Sequence, residues 1–173
     1  MLRYSLIYGA ISGTIVIAMI LLTIMTGIGN HSVALGYLIM LVVLSLIFVG
    51  VKRYRDVEKG GTIRFWPALG LGLGIAAVAG LAYVVVWEAY LATTDYTFMD
   101  EYTASMIASL EADGGPDAAA RIAEIEAMKE SYKNPLFRFA ITFLEIFPVG
   151  LVVALVSALL LKNPKVLPAR RAA

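Results

Sequence analysis

The stretch Val49-Gly-Val-Lys-Arg-Tyr-Arg-Asp-Val-Glu-Lys-Gly-Gly-Thr-Ile-Arg-Phe-Trp-Pro-Ala-Leu-Gly70 places a run of basic residues between two long apolar segments. Upstream, no Asp, Glu, Lys or Arg occurs between Arg3 and Lys52; downstream, none occurs between Arg64 and Glu88. A soluble core cannot enclose such runs, whereas a bilayer can. The composition agrees: 16% of the 173 residues are charged and 60% are hydrophobic, against about 25% charged in ordinary soluble domains. The chain has no Cys, which excludes disulfides and thiolate metal sites.

Working outward from this basic connector, the pattern predicts an all-α membrane protein with four transmembrane helices. The expected spans are residues 4–26, 33–51, 66–91 and 135–161. Each is long enough at ~1.5 Å per residue to cross about 30 Å of hydrocarbon. The first span is too long for the apolar core of a signal peptide and lacks a small-residue cleavage site after Thr26, so it reads as an uncleaved helix. Gly27 to Ser32 reads as a polar turn. Gly60-Gly61 breaks the chain, and Trp66 and Pro67 suit an interfacial anchor and a first helical turn. Residues 93–134 differ from the rest. They are acidic and helix-prone, with apolar stripes at Met99, Tyr102, Met106 and Leu110, then at Ala118, Ile122, Ile125, Met128 and Tyr132. Asp113-Gly-Gly-Pro116 separates the stripes, which predicts a helical hairpin between the third and fourth spans. The whole chain is read as one four-span domain.

Lys and Arg set the orientation. The N-terminus, the connector and the tail hold ten of the fourteen basic residues, while residues 93–134 hold nine of the thirteen acidic ones. Both termini and the connector are therefore expected in the cytoplasm, and the hairpin outside.

The connector also carries a resemblance. Gly50-Val-Lys-Arg-Tyr-Arg-Asp56 and Gly60-Gly-Thr-Ile-Arg-Phe65, with the order of elements up to Asn134-Pro-Leu-Phe137, resemble the DUF4199 family of bacterial membrane proteins. The resemblance covers nearly the whole chain. It implies a bacterial inner (plasma) membrane location and carries over no catalytic residue.

Several side chains stand out. Gly9-x-x-x-Gly13 and Gly70-x-x-x-Gly74 lie at matched distances from Arg3 and Arg64, so spans one and three are expected to cross there, or to face a second copy. Gly70-Leu-Gly-Leu-Gly74 is not a nucleotide loop, since no strand precedes it. Glu88 lies five helical turns beyond Gly70, with Ala77, Leu81 and Val84 between. It is a candidate partner for Arg138, which shares a face with Thr142 and Glu145; the alternative is that both charges reach water independently. Glu145 lies ten residues into the last span, three before Pro148. It suits either a proton-linked transport site or a structural hydrogen bond to Tyr37, Ser45 or Tyr83. Lys52, Arg53 and Arg55 are expected at lipid head groups. His31 reads as a solvated turn residue. No metal site, cofactor or nucleic-acid surface is expected, and no catalytic set is present, so the chain is read as non-enzymatic. The leading expectation is an accessory or interaction protein using its external hairpin, with a homo-oligomer or a membrane-protein partner reached through 93–134. A small proton-linked transporter subunit built on Glu145 is the alternative.

Overall fold

The computed structural model describes residues 1–26 and 33–169. His31 and the turn at Gly27 to Ser32 lie outside the described residues, as do Arg170 and Arg171 of the tail. Among the described residues the chain is all-helical: α1 (Leu2–Thr26), α2 (Val33–Leu44), α3 (Leu46–Glu58), α4 (Phe65–Thr93), α5 (Phe98–Asp113), α6 (Ala118–Tyr132) and α7 (Pro135–Leu161). Four stretches are long and apolar enough to cross a membrane: Leu2–Thr26, Ala34–Glu58, Phe65–Thr93 and Pro135–Leu161.

The second of these contains α2 and α3, which meet at Ser45. The Ser45 hydroxyl donates to the Val42 carbonyl at 2.6 Å. The Ser45 carbonyl accepts from both Phe48 and Val49, at 3.0 and 3.4 Å. Such local bonding by serine loosens the regular helical ladder. The helix then continues beyond the expected end at Val51, as far as Glu58. Nothing from Lys52 to Glu58 disfavours a helix, and Val51, Tyr54 and Arg55 give that segment a buried side. It stops at Gly60 and Gly61, whose φ values of 60° and 90° leave the helical region. Of the stretch from Val49 to Gly70, only Lys59 to Arg64 thus lies outside helix.

The chain divides into two compact units, one formed by Met1–Val86 with Phe143–Ala173, the other by Trp87–Thr142. In the first unit α1 packs on α2 and α3. The α4 segment lies between α1 and α7, and small residues set both approaches. A Cβ on Gly9 would lie 2.5 Å from the Val78 Cβ, and one on Gly74 would lie 2.6 Å from the Ser5 Oγ. A Cβ on Gly13 would run into the Ala79 carbonyl. On the other face, a Cβ on Gly72 would meet the Ala154 Cβ at 2.8 Å, and one on Gly150 would meet the Ala76 Cβ at 2.8 Å. Gly80 abuts the Phe143 ring in the same way. Pairings 72 with 154 and 76 with 150 make α4 and α7 antiparallel; 74 with 5 and 78 with 9 make α4 and α1 parallel.

Gly70 requires correction. It is exposed, and an added Cβ would meet nothing within 4 Å. Matching residues by distance from Arg3 and Arg64 set Gly9 level with Gly70. In the structure Gly9 lies against Ile75 and Val78. Since Ser5 lies against Gly74, one turn earlier in α1 is already its first turn, and little of that helix remains to cover Gly70. The stripe drawn through Gly70 holds only at Val84, which is buried. Leu81 is 47% exposed, while the packed side of α4 holds Leu71, Ile75, Ala76, Ala79, Tyr83 and Val84.

Arg55 also departs from expectation. Arg53 is exposed, and Lys52 is half-buried beside Asp56. Arg55 has no exposed surface at all. Its guanidinium donates to the Val166 and Leu167 carbonyls at 2.9 and 2.5 Å, and to Asp56 at 2.7 Å. It ties α3 to the segment after α7 instead of reaching lipid head groups.

Candidate functional site

The second unit opens with the last turns of α4, which carry Trp87, Glu88, Tyr90 and Leu91. The helix ends in a turn, where the Tyr96 N–H donates to the Leu91 carbonyl at 2.9 Å. Asp95 and Tyr96 have φ of 50° and 60°. Asp tolerates that region; for Tyr it is a strained conformation that the surroundings must hold. The α5 helix stops at Gly114, φ 59°, whose N–H caps the Leu110 carbonyl. The start of α7 is set by Asn134, whose side-chain oxygen accepts the Leu136 N–H at 2.9 Å. Pro135 then takes the first helical position, where its missing N–H costs nothing.

One turn into α7, Arg138 is nearly enclosed, at 6% exposure. It meets Glu88 in a two-point contact, Nε to Oε1 at 2.5 Å and Nη2 to Oε2 at 2.8 Å. Its Nη1 donates to the Tyr132 carbonyl at 3.2 Å. The guanidinium carbon lies 4.8 Å from the centre of the Tyr96 ring and 5.9 Å from that of Tyr132. The strained turn therefore has a visible result: it holds the Tyr96 ring over a cation. Next to it, Trp87 Nε1 donates to the Tyr132 hydroxyl at 2.7 Å. The phenol also bonds the Thr142 hydroxyl, and burial pushes its pKa above the usual range. Trp87, Tyr90, Phe98 and Tyr102 continue the cluster edge to face and by stacking. A guanidinium whose donors are this fully engaged acts as an anchor rather than a free anion-binding group.

The hairpin is held from within. The α5 and α6 helices pack together, and Lys129 pairs with Asp100 at 2.8 Å across them. That ammonium holds the Asp100 carboxyl below the usual carboxylate range. The inward stripes differ in detail from those expected. Thr103 is the buried residue of α5, its hydroxyl satisfied by the Met99 carbonyl at 2.7 Å. Met128 is 42% exposed and Tyr102 is 36% exposed. Both belong to the apolar stripes read from the sequence. Between the hairpin and the helix ends of this unit lies a cleft of about 470 Å³, bordered by Tyr96, Asp100, Lys129, Lys133 and Arg138 among others.

The two remaining polar candidates belong to the first unit. Glu145 lies on an exposed side of α7, but its carboxyl is part-buried beside Tyr83, whose hydroxyl donates to Oε2 at 3.4 Å. Of the other suggested partners, Ser45 spends its hydroxyl on Val42, and Tyr37 is 49% exposed. Arg138, Thr142 and Glu145 do not share an environment: the first two are buried and the third is not. Sequence reasoning missed Tyr96 and Trp87 as members of the Arg138 cluster. It also missed Gly72-x-x-x-Ala76-x-x-x-Gly80 and Gly150-x-x-x-Ala154-x-x-x-Ala158, although their four-residue spacing was legible. Among the described residues no group of three or more His, Asp or Glu is placed to hold a metal ion.

With this geometry in hand, comparison with known proteins gives one family. The family described as "Protein of unknown function (DUF4199)" matches residues 7–163, and the chain belongs to it. No curated protein matches the chain. No solved structure matches it either.

Proposed function

For this member of the DUF4199 family, we propose a multi-pass protein of the bacterial inner membrane, with both termini and the connector in the cytoplasm and residues 93–134 outside. In this reading the chain is a non-enzymatic accessory protein, and the hairpin unit is the part that meets a partner. The observation that carries the proposal is the self-contained construction of that unit. Its two helices pack together, Lys129 pairs with Asp100 across them, and its Arg138 anchor is internally satisfied, so its outer surface is free for a polar partner. The α6 helix buries none of its residues, and Glu124 and Glu126 face outward. The excess of Lys and Arg around the connector supports the orientation. Non-enzymatic action fits a cluster whose charged groups are committed to one another.

Two measurements test this. The chain lacks Cys, so single cysteines report cleanly. Asp117→Cys is expected to react with a membrane-impermeant maleimide in intact cells, and Lys59→Cys only after permeabilisation. The opposite pattern refutes the orientation. Reversing charge at Glu124 and Glu126 should remove proteins that co-purify with the full chain from native membranes. An unchanged set refutes the role given to the hairpin.

A further inference from the structure

The cleft of about 470 Å³ in the hairpin unit lies where two apolar helices end. Leu91, in the last turn of α4, and Pro135, the first residue of α7, both border it. Both helices are long and apolar enough to cross a membrane, so the cleft falls at the boundary between hydrocarbon and water, the level of lipid head groups. Small-molecule sites are of this size, about 300–1,000 Å³. The charged side chains at its border are engaged to different degrees. Arg138 is committed to Glu88, and Lys129 to Asp100. Lys133 pairs with Glu130, but these side chains are 66% and 74% exposed, and ion pairs so open to water hold weakly and exchange readily. The Asp95 carboxylate has no hydrogen bond or ion pair among the described residues. Its place is nonetheless fixed, because the left-handed turn that holds the Tyr96 ring over Arg138 also sets Asp95 at the cleft. Strained turns of this kind cluster at ligand clamps.

We infer that the cleft binds a zwitterionic amino-phosphate group, the chemistry of an ethanolamine phospholipid head group. An exchangeable ammonium and an unengaged carboxylate border one cavity, so the ligand that suits both carries both signs. A purely anionic ligand would face Asp95 as a like charge, and a purely cationic one would face Lys133. The phosphate oxygens accept from Lys133, with Lys129 one helical turn away on α6. The ligand ammonium donates to the Asp95 carboxylate, which is acceptor-only. Leu91, Met99 and Pro135 supply apolar wall for the carbon atoms next to the phosphate. Arg138 keeps Glu88 and takes no part in holding the ligand. The site does not involve Glu124 or Glu126, so it stands apart from the role proposed above.

The test uses the full chain in a phosphate-free maltoside detergent. Trp66→Phe leaves Trp87, bonded to Tyr132 at the cleft, as the one indole that reports binding. Dihexanoyl phosphatidylethanolamine should change its fluorescence saturably. Dihexanoyl phosphatidylglycerol, which lacks the ammonium, should bind about tenfold more weakly or worse. Lys133→Gln and Asp95→Asn should each raise the Kd for the ethanolamine lipid about tenfold. Both residues are exposed, so thermal melting should stay unchanged and the loss should belong to the site. Arg121→Gln, an exposed cation that does not border the cleft, should keep the wild-type Kd. O-phosphoethanolamine separates the sources: tighter binding of the lipid assigns a membrane ligand, and equal binding assigns a soluble one of the same chemistry. Equal affinity for the two lipids overturns the inference. So does a wild-type Kd in either Lys133→Gln or Asp95→Asn, and so does the lack of any saturable change.

Discussion

Replacing Glu88 by Gln takes away the carboxylate that faces the Arg138 guanidinium and leaves the cation enclosed. The consequences for the two partners differ. The Arg138 side chain is 8% exposed, whereas that of Glu88 is 30% exposed. Breaking a fully buried ion pair costs about 3–5 kcal/mol. Here the orphaned guanidinium retains the Tyr132 carbonyl and two aromatic faces, so Glu88→Gln should destabilise by about 2–3 kcal/mol. Arg138→Gln leaves a carboxylate that still reaches water, which should cost about 1–2 kcal/mol. The double substitution should cost clearly less than the sum, with a coupling of about 1.5 kcal/mol. Trp87 provides the assay, since its indole bonds Tyr132 inside this cluster. The chain's other Trp is Trp66, so Trp66→Phe makes the fluorescence specific to the hairpin unit. Unfolding of the four variants in mixed micelles should show the non-additivity. Additivity within about 0.3–0.5 kcal/mol would mean that the contact contributes nothing beyond two independent polar groups.

Three further outcomes follow from the packing and charge. Gly72→Leu should cost about 1–3 kcal/mol or more by overpacking against Ala154, while Gly70→Leu should leave folded yield unchanged; thermal melts of both decide it. Arg55→Ala should release the segment around Val166 and Leu167, seen as much faster limited proteolysis after Lys162 and Lys165, and equal rates would refute the tie. The Asp100 carboxyl is held below its ordinary range by Lys129, so its contribution is present above the unfolded value of about 3.9. It is lost as pH falls through the depressed folded value. Hairpin stability should therefore be flat from neutral pH to about 5 and fall in acid below that, with a shallower fall in Asp100→Asn; identical acid profiles would refute the pairing.

Much of the fold was legible because hydrocarbon is an unforgiving solvent. Charge-free runs above and below Lys52 to Arg64 admit few structures other than spanning helices. The hairpin followed from Gly114, Gly115 and Pro116 between two periodic stretches. What failed to appear was rotational phase. In a helix apolar all round, nothing in composition says which side is packed. Gly70 and Gly72 look alike in the sequence, yet only one has Ala154 against it. Charge was misleading for a related reason. Arg53 and Arg55 are indistinguishable in the connector, and the fate of Arg55 depends on carbonyls more than a hundred residues away. The Tyr96 contact was hidden too, because it depends on two consecutive left-handed residues that no local pattern announces.

That distant dependence of Arg55 gives the molecule an order in time. Its acceptors at Val166 and Leu167 are made 111 and 112 residues later. At ~5–20 residues per second of synthesis, the guanidinium waits roughly 6–22 s with Asp56 as its neighbour. During that interval α4 and α7 are made, yet the connector end of the bundle stays open. A chain interrupted before Val166 would keep the Asp56 contact of Arg55 but lack both of its carbonyl acceptors, leaving that end of α3 untied.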